Sequence, residues 1–219
     1  MVLLDSGMYR HAMWHYREAV DLAHHVGDNF HTASALRYVG LVDWWRGHPN
    51  DAMQFYQIAQ VMLGPHGDAK LVAWLHALSA HALADMGHGQ AADQLARARD
   101  SWQPSNAYER ADWDYQTALV QAALGRLKVA ERCTASINGP GRQRPVDTFA
   151  GILRATIHVQ TGEPRGLQLA DQAINGVARL RSVRARQRLV PLADALDARP
   201  GGDARELSQR ARRVAAASA

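Results

Sequence analysis

Small and apolar residues recur at helical spacing along this chain, interrupted by short polar turns centred on glycine. The segment 33–62, ASALRYVGLVDWWRGHPNDAMQFYQIAQVM, shows the unit most clearly. It predicts two antiparallel helices joined at Gly47, a residue free to take the left-handed conformation that ends a helix. Gly40 stands seven residues before that turn and Ala52 five after it. A small residue in the middle of each helix lets the two backbones approach closely. Tyr56 and Ala59 follow at helical spacing and are predicted to pack the second helix onto the first. Pro49 and Asp51 suit a helix start after the turn.

The pattern repeats. Turn glycines fall at Gly7, Gly47, Gly87, Gly125, Gly162 and Gly201 or Gly202, with spacings of 37 to 40 residues. Seven residues before them stand Gly40, Ala80, Ala118, Ala155 and, counted from Gly202, Ala195. Five residues after the first four stand Ala12, Ala52, Ala92 and Ala130. After Gly162 the same position is Leu167, so the last units read as looser. Three positions in register over several units predict stacked helical hairpins.

The predicted pairs are about 30–46 with 49–62, 69–86 with 89–101, 106–124 with 127–137, and 145–160 with 164–177. A helix at about 9–26 precedes them, and residues 1–5 read as the stub of its partner, so the chain begins inside a repeat. Gly64–Gly67 and Asn138–Gly141, the latter continued by Arg142–Pro145, read as loops between repeats. The array covers 1–178. A last pair at about 179–198 and 203–217 reads as an Arg-rich cap of the same domain, since a solenoid ends on a polar face. Pro191 is expected to kink the helix it falls in. The arginines at 181, 184, 186 and 188 occupy several faces, so that helix is expected to be largely exposed.

Charge sharpens this division. The net charge is +4, yet from Arg179 onward ten Arg face four acidic residues, which leaves the first 178 residues at −2. A nucleic-acid role would place Arg184, Arg186 and Arg188 on phosphates, but no interleaved aromatic platform or helix-turn-helix accompanies them. Cys133 is the single cysteine, which excludes an internal disulfide framework and fits a reducing compartment. No apolar run reaches membrane-spanning length and nothing at Met1 reads as a signal peptide, so a cytoplasmic protein is expected.

Catalytic motifs are missing from the sequence: it has no Gly-rich phosphate loop, nucleophile elbow or His-Glu metalloprotease helix. The expectation is a protein that is not an enzyme and carries no cofactor or metal. His11 and His15 have a metal-ligand spacing, with Glu18 and Asp21 near, but too few ligands to complete a site. His24 and His25 point in different directions and read as a helix end.

At Gly40, Gly47, Ala52, Tyr56 and Ala59, and again at Gly7, Tyr9, Ala12, Tyr16 and Ala19, the chain resembles the tetratricopeptide repeat. Its period is longer than the family's usual value of about 34 residues. The resemblance implies an all-α, right-handed α-solenoid of about five to six hairpins, the first truncated. It also implies that the first helix of each pair lines the concave side. Register then selects a groove for a ligand or partner at Arg37, Leu41, Trp44 and Trp45, at Trp74, His81 and Asp85, and at Tyr115 and Leu119. Of fifteen aromatic residues, fourteen lie at or before Tyr115, which concentrates possible anchors in the first four units. Arg37 could add a carboxylate clamp. Core packing is the competing role for the tryptophans, which are largely buried in most proteins.

The runs ARLRSVRARQRLVPLADALDA, ARELSQRARRVAA and LADMGHGQAADQLARARDSW make a narrower match. They are similar to the tetratricopeptide regions of actinobacterial regulators that carry an XRE-type helix-turn-helix at their N-terminus. That resemblance implies a sensing and oligomerisation domain of a transcriptional regulator, taking a peptide or small apolar ligand in the groove. It implies a homodimer that meets DNA only through a helix-turn-helix upstream of Met1. The alternative is a stand-alone adaptor between proteins.

Overall fold

The computed structural model describes residues 2–137 and 145–217; their regular structure is α-helical, with no strand among them. The predicted loop at Asn138–Gly141 and its continuation to Arg144 lie outside the described residues. Contacts between helices group the chain into two compact units. One is Met8–Glu109 with Ala123–Gly125; the other is Met1–Gly7, Arg110–Ala122 and Arg126–Ala219. The boundary drawn at 178/179 falls inside the second.

The first unit contains α2 (Tyr9–His25), α3 (Asn29–Trp45), α4 (Pro49–Leu63), α5 (Ala69–Asp85) and α6 (Ala91–Ser101); α1 (Val2–Asp5) belongs to the other unit. Helices adjacent in sequence pack on one another, and α3 also meets α5. Each hairpin turn is a helix C-cap. Gly27, Gly47 and Gly87 have φ of 73°, 83° and 74°. The residue after each glycine donates its N–H back six residues inclusive: Asp28 to Ala23 at 2.9 Å, His48 to Asp43 at 2.9 Å and His88 to Leu83 at 2.8 Å. This pairs carbonyls that would otherwise end the helix unsatisfied. The Asp28 and Asp68 carboxylates cap the next helices, accepting from His31 N–H at 3.0 Å and Leu71 N–H at 2.8 Å.

Gly40 makes the α3–α4 contact. A Cβ built there would stand 2.6 Å from the ring of Tyr56, which is 1 % exposed, and 3.0 Å from the Ala52 carbonyl. Burial pushes the Tyr56 phenol pKa up. Around that ring lies a core of Ala33, Leu36, Ala59, Leu71, Leu75 and Ala82. On α2 and α3, Tyr16 and Tyr38 stack with centroids 5.0 Å apart.

One tie in this unit is pH-sensitive. Lys70 Nζ donates to Glu109 Oε1 at 2.5 Å, while the Ser105 hydroxyl and N–H reach Oε2 at 2.7 and 3.0 Å. Lys70 first, then Ser105, hold the Glu109 carboxyl down to about 2 from an ordinary 4.5. A depressed carboxyl stabilises the fold above its unfolded pKa. Its contribution is therefore complete above about 4.5 and lost as pH falls through about 2. A carboxyl NMR titration should give Glu109 a midpoint near 2, and Lys70→Ala should move it towards 4.5. A midpoint that ignores the substitution would show that Lys70 is not the cause.

The second unit contains α1 (Val2–Asp5), the Arg110–Ala122 part of α7 (Ala107–Ala123), α8 (Leu127–Ala135) and α9 (Pro145–Gln160). It continues with α10 (Gly166–Ala178), α11 (Val183–Gln187), α12 (Leu189–Asp197) and α13 (Gly202–Ala216). The hairpin α9–α10 carries the hairpin α12–α13: α12 lies on α9, and α13 on α10. The core between them includes Ile152, Ala155, Ile174, Leu189, Leu192 and Leu196.

The predicted turn glycines Gly7, Gly125, Gly162 and Gly201 all have positive φ here. Gly40, Ala80, Ala118, Ala155 and Ala195 are buried, as are Ala12, Ala52 and Ala130. Two positions need correction. After Gly87 the buried small residue is Ala91 at 0 % exposure, not Ala92. After Gly162 it is Gly166, not Leu167. In both units the second helix meets the first one residue earlier than the register of the others predicts.

The helix expected at 179–198 is not one helix. Arg179–Ser182 is non-helical, α11 follows, and the chain restarts after Arg188 as α12. Pro191 is then the third residue of α12, where its missing N–H has no intrahelical partner to lose, so no kink is needed.

The arginines also depart from expectation. Arg184 and Arg186 are buried. Arg184 Nε donates to Asp5 Oδ1 at 2.7 Å. Arg186 donates to the carbonyls of Ala217 at 2.7 Å and Leu180 at 3.2 Å. Arg188 Nε donates to the Tyr115 hydroxyl at 2.8 Å, and its guanidinium lies 4.1 Å from the Phe149 ring centre. Burial presses the Arg188 pKa down, and Tyr115 opposes that. These side chains tie segments of the unit together and are not presented to phosphates. The stub at the N-terminus has a partner too: Leu4 is 0 % exposed, Asp5 holds Arg184, and α1 packs on α11.

Candidate functional site

On α3 the residues Arg37, Leu41, Trp44 and Trp45 follow at helical spacing, all half-buried. On α5 Trp74, His81 and Asp85 do the same, with Trp74 half-buried and His81 buried. Four of the seven converge. Trp44 Nε1 donates to Asp85 Oδ2 at 2.7 Å, across 41 residues, one more than the spacing from Gly47 to Gly87. The Trp44 ring lies 4.8 Å from Trp45, edge to face, and 4.5 Å from His81, tilted by 47°. His81 Nε2 is 3.8 Å from Asp85 Oδ1, one helical turn away on the same face. The Asp85 side chain remains 35 % exposed.

The cluster sits at the C-terminal ends of α3 and α5, beside their glycine caps. Its position follows from register: α3 and α5 are first helices of successive hairpins, so equivalent positions fall side by side. Two half-buried indoles backed by the buried His81 imidazole make an apolar surface, and one carboxylate at its rim favours a positive group.

Arg37 stands apart from these four. Its guanidinium lies 4.4 Å from the Tyr38 ring centre and acts on Tyr56. Leu41 is half-buried between Arg37 and the tryptophans along α3. None of Trp44, Trp45 and Trp74 is fully buried, although Trp44 also packs against the core.

Tyr115 and Leu119 belong to the second unit. Tyr115 is 7 % exposed, accepts from Arg188 and stands 6.0 Å from Phe149, centre to centre. Leu119 packs against the core of that unit. The structure thus gives Tyr115 a core role rather than a groove role. Of the histidines on α2, His11 and His15 are exposed, and His24 and His25 end the helix as expected.

One group was not anticipated: His158 on α9 with Glu131, Glu163 and Arg165. A polar residue inside the apolar run FAGILRATIHVQ, four before a turn glycine, was its sequence signal. Comparison with family models, curated proteins and solved structures finds no match to this chain.

Proposed function

We propose that the chain is a sensing and oligomerisation domain of a transcriptional regulator, built as a right-handed solenoid of tetratricopeptide-like hairpins and acting as a homodimer. It takes a peptide or small apolar ligand on the α3–α5 face, and the carboxylate of Asp85 favours a ligand carrying a basic group. The observation that carries this is the convergence of Trp44, Trp45, His81 and Asp85 on one face, with Asp85 still partly open to solvent. Half-buried aromatics around a polar handle are common anchors of recognition surfaces. A ligand there acts on the rest of the chain only by preferring one packing of the hairpins over another.

The test has two arms. Peptides selected on the purified protein from a displayed library should lose at least about tenfold in affinity with Trp44→Ala, or about 1.4 kcal/mol. Asp85→Asn should reduce binding of basic peptides selectively. Unchanged affinity in a folded Trp44→Ala variant would remove the site. Crosslinked protein recovered from its cells with promoter DNA supports the regulator role. Recovery with protein partners and without DNA favours an adaptor instead.

A further inference from the structure

The group at His158 joins three consecutive elements of the second unit. The imidazole is 0 % exposed, and both its nitrogens face carboxylates: Nδ1 is 2.8 Å from Glu163 Oε2, and Nε2 is 3.2 Å from Glu131 Oε1. Glu131 comes from α8, His158 from the last turn of α9, and Glu163 from the turn that follows. Ligand atoms of all three lie within 4.8 Å of one another. A fourth side chain fills the space. Arg165 Nη2 lies 3.2 Å from His158 Nε2 and 3.0 Å from Glu131 Oε1, while its Nε is 3.3 Å from Glu163 Oε2.

The His158 Nδ1–H donates to the Glu163 carboxylate. In the neutral tautomer this leaves the Nε2 lone pair facing Glu131. Two acceptors at that distance need a positive group between them, and Arg165 Nη2 supplies it. A carboxylate accepting from Nδ1–H is the arrangement that orients metal-binding histidines, with Nε2 left for the ion. Zinc bonds of about 2.0–2.1 Å put two ligands of one tetrahedral ion about 3.3 Å apart. The Nε2–Oε1 separation of 3.2 Å is close to that spacing.

We propose that Glu131 and His158 bind one divalent transition-metal ion of the zinc class, with Glu163 orienting the imidazole and Arg165 as the resident cation that the metal displaces. Arg165 can leave without opening the core, because its side chain is 59 % exposed. The ion brings two positive charges where the guanidinium brought one, beside two carboxylates. Water completes its shell. The bound ion joins α8 to the end of α9, and with two protein ligands and water it forms an exchangeable site rather than a closed structural one.

The test is calorimetric titration of Zn²⁺ into metal-stripped protein carrying His11→Ala and His15→Ala, which removes the exposed pair on α2. One ion per chain is expected. Arg165→Ala should tighten binding about tenfold by removing the competing cation, and Glu131→Gln should weaken it about tenfold, with folding checked by circular dichroism. Arg165→Ala replaces an exposed side chain, so it decides the matter alone if Glu131→Gln does not fold. No binding up to millimolar Zn²⁺ overturns the proposal. So does binding that Arg165→Ala fails to tighten, or that a folded Glu131→Gln fails to weaken.

Discussion

Gly40→Val should destabilise the first unit by about 3 kcal/mol, at the upper end of what overpacking a core produces. The first carbon of the new side chain would lie 2.6 Å from Tyr56 Cε1 and 3.0 Å from the Ala52 carbonyl. The ring cannot turn away, because it is 1 % exposed among core residues, and the carbonyl belongs to the α4 backbone. Interiors are packed too closely to absorb such an overlap without moving a helix. Gly40→Ala puts two effects in opposition. Ala gains up to about 1 kcal/mol over Gly inside a helix, while the overlap with Tyr56 remains. A net loss of about 1 kcal/mol is expected. Urea unfolding followed by tryptophan fluorescence reads this unit well, since Trp14, Trp44, Trp45, Trp74 and Trp102 lie in it and only Trp113 lies outside. In a Tyr56→Leu background the penalty of Gly40→Ala should largely vanish, a coupling that two independent sites would not show. Additive effects would mean that the ring does not set the α3–α4 distance.

The same glycine shows what could be read before any coordinates. Gly40, Gly47, Ala52 and Tyr56 announce a hairpin because each acts locally, through a turn or through contact with the neighbouring helix. The positive φ at all the turn glycines and the buried small residues follow from that. The Trp44–Asp85 contact was accessible for a related reason: the two residues are within one residue of a period apart, so repetition itself carries them to neighbouring places. What escaped were interactions with no period. Asp5 and Arg184 are 179 residues apart and share no spacing with anything else. From sequence, Arg184, Arg186 and Arg188 resemble a solvated face, because nothing nearby announces Asp5, Ala217 or Tyr115 as their partners. Tyr115 was assigned to a groove by the register of its helix, and Arg188 instead binds it into a core. The break at Arg188 was hidden too. A proline inside a helical pattern signals disturbance, but it does not say whether the helix bends or ends before it. His158 was missed because its partners, Glu131 on α8 and Glu163 and Arg165 in the following turn, share no repeat spacing with it.

The shift of register after Gly162 leads to the second large effect. Gly166→Ala should lower stability by about 3 kcal/mol, although the change adds one methyl group at the first residue of a helix. A Cβ there would meet only backbone: the His158 carbonyl oxygen at 2.8 Å, its carbon at 2.9 Å and the Val159 nitrogen at 3.0 Å. Side chains can rotate away from an intruder, whereas the last turn of α9 can yield only by moving as a whole. That carbonyl also accepts the Glu163 N–H at 3.0 Å, so the movement strains the helix cap as well. Gly176→Ala is the control. It lies further along α10 with nothing within 4 Å of its Cβ position, and should gain about 0.5–1 kcal/mol from backbone entropy alone. Urea unfolding followed by circular dichroism should therefore move the two variants in opposite directions. If both stabilise, α9 and α10 are not in contact at Gly166, and a glycine is not required at that junction.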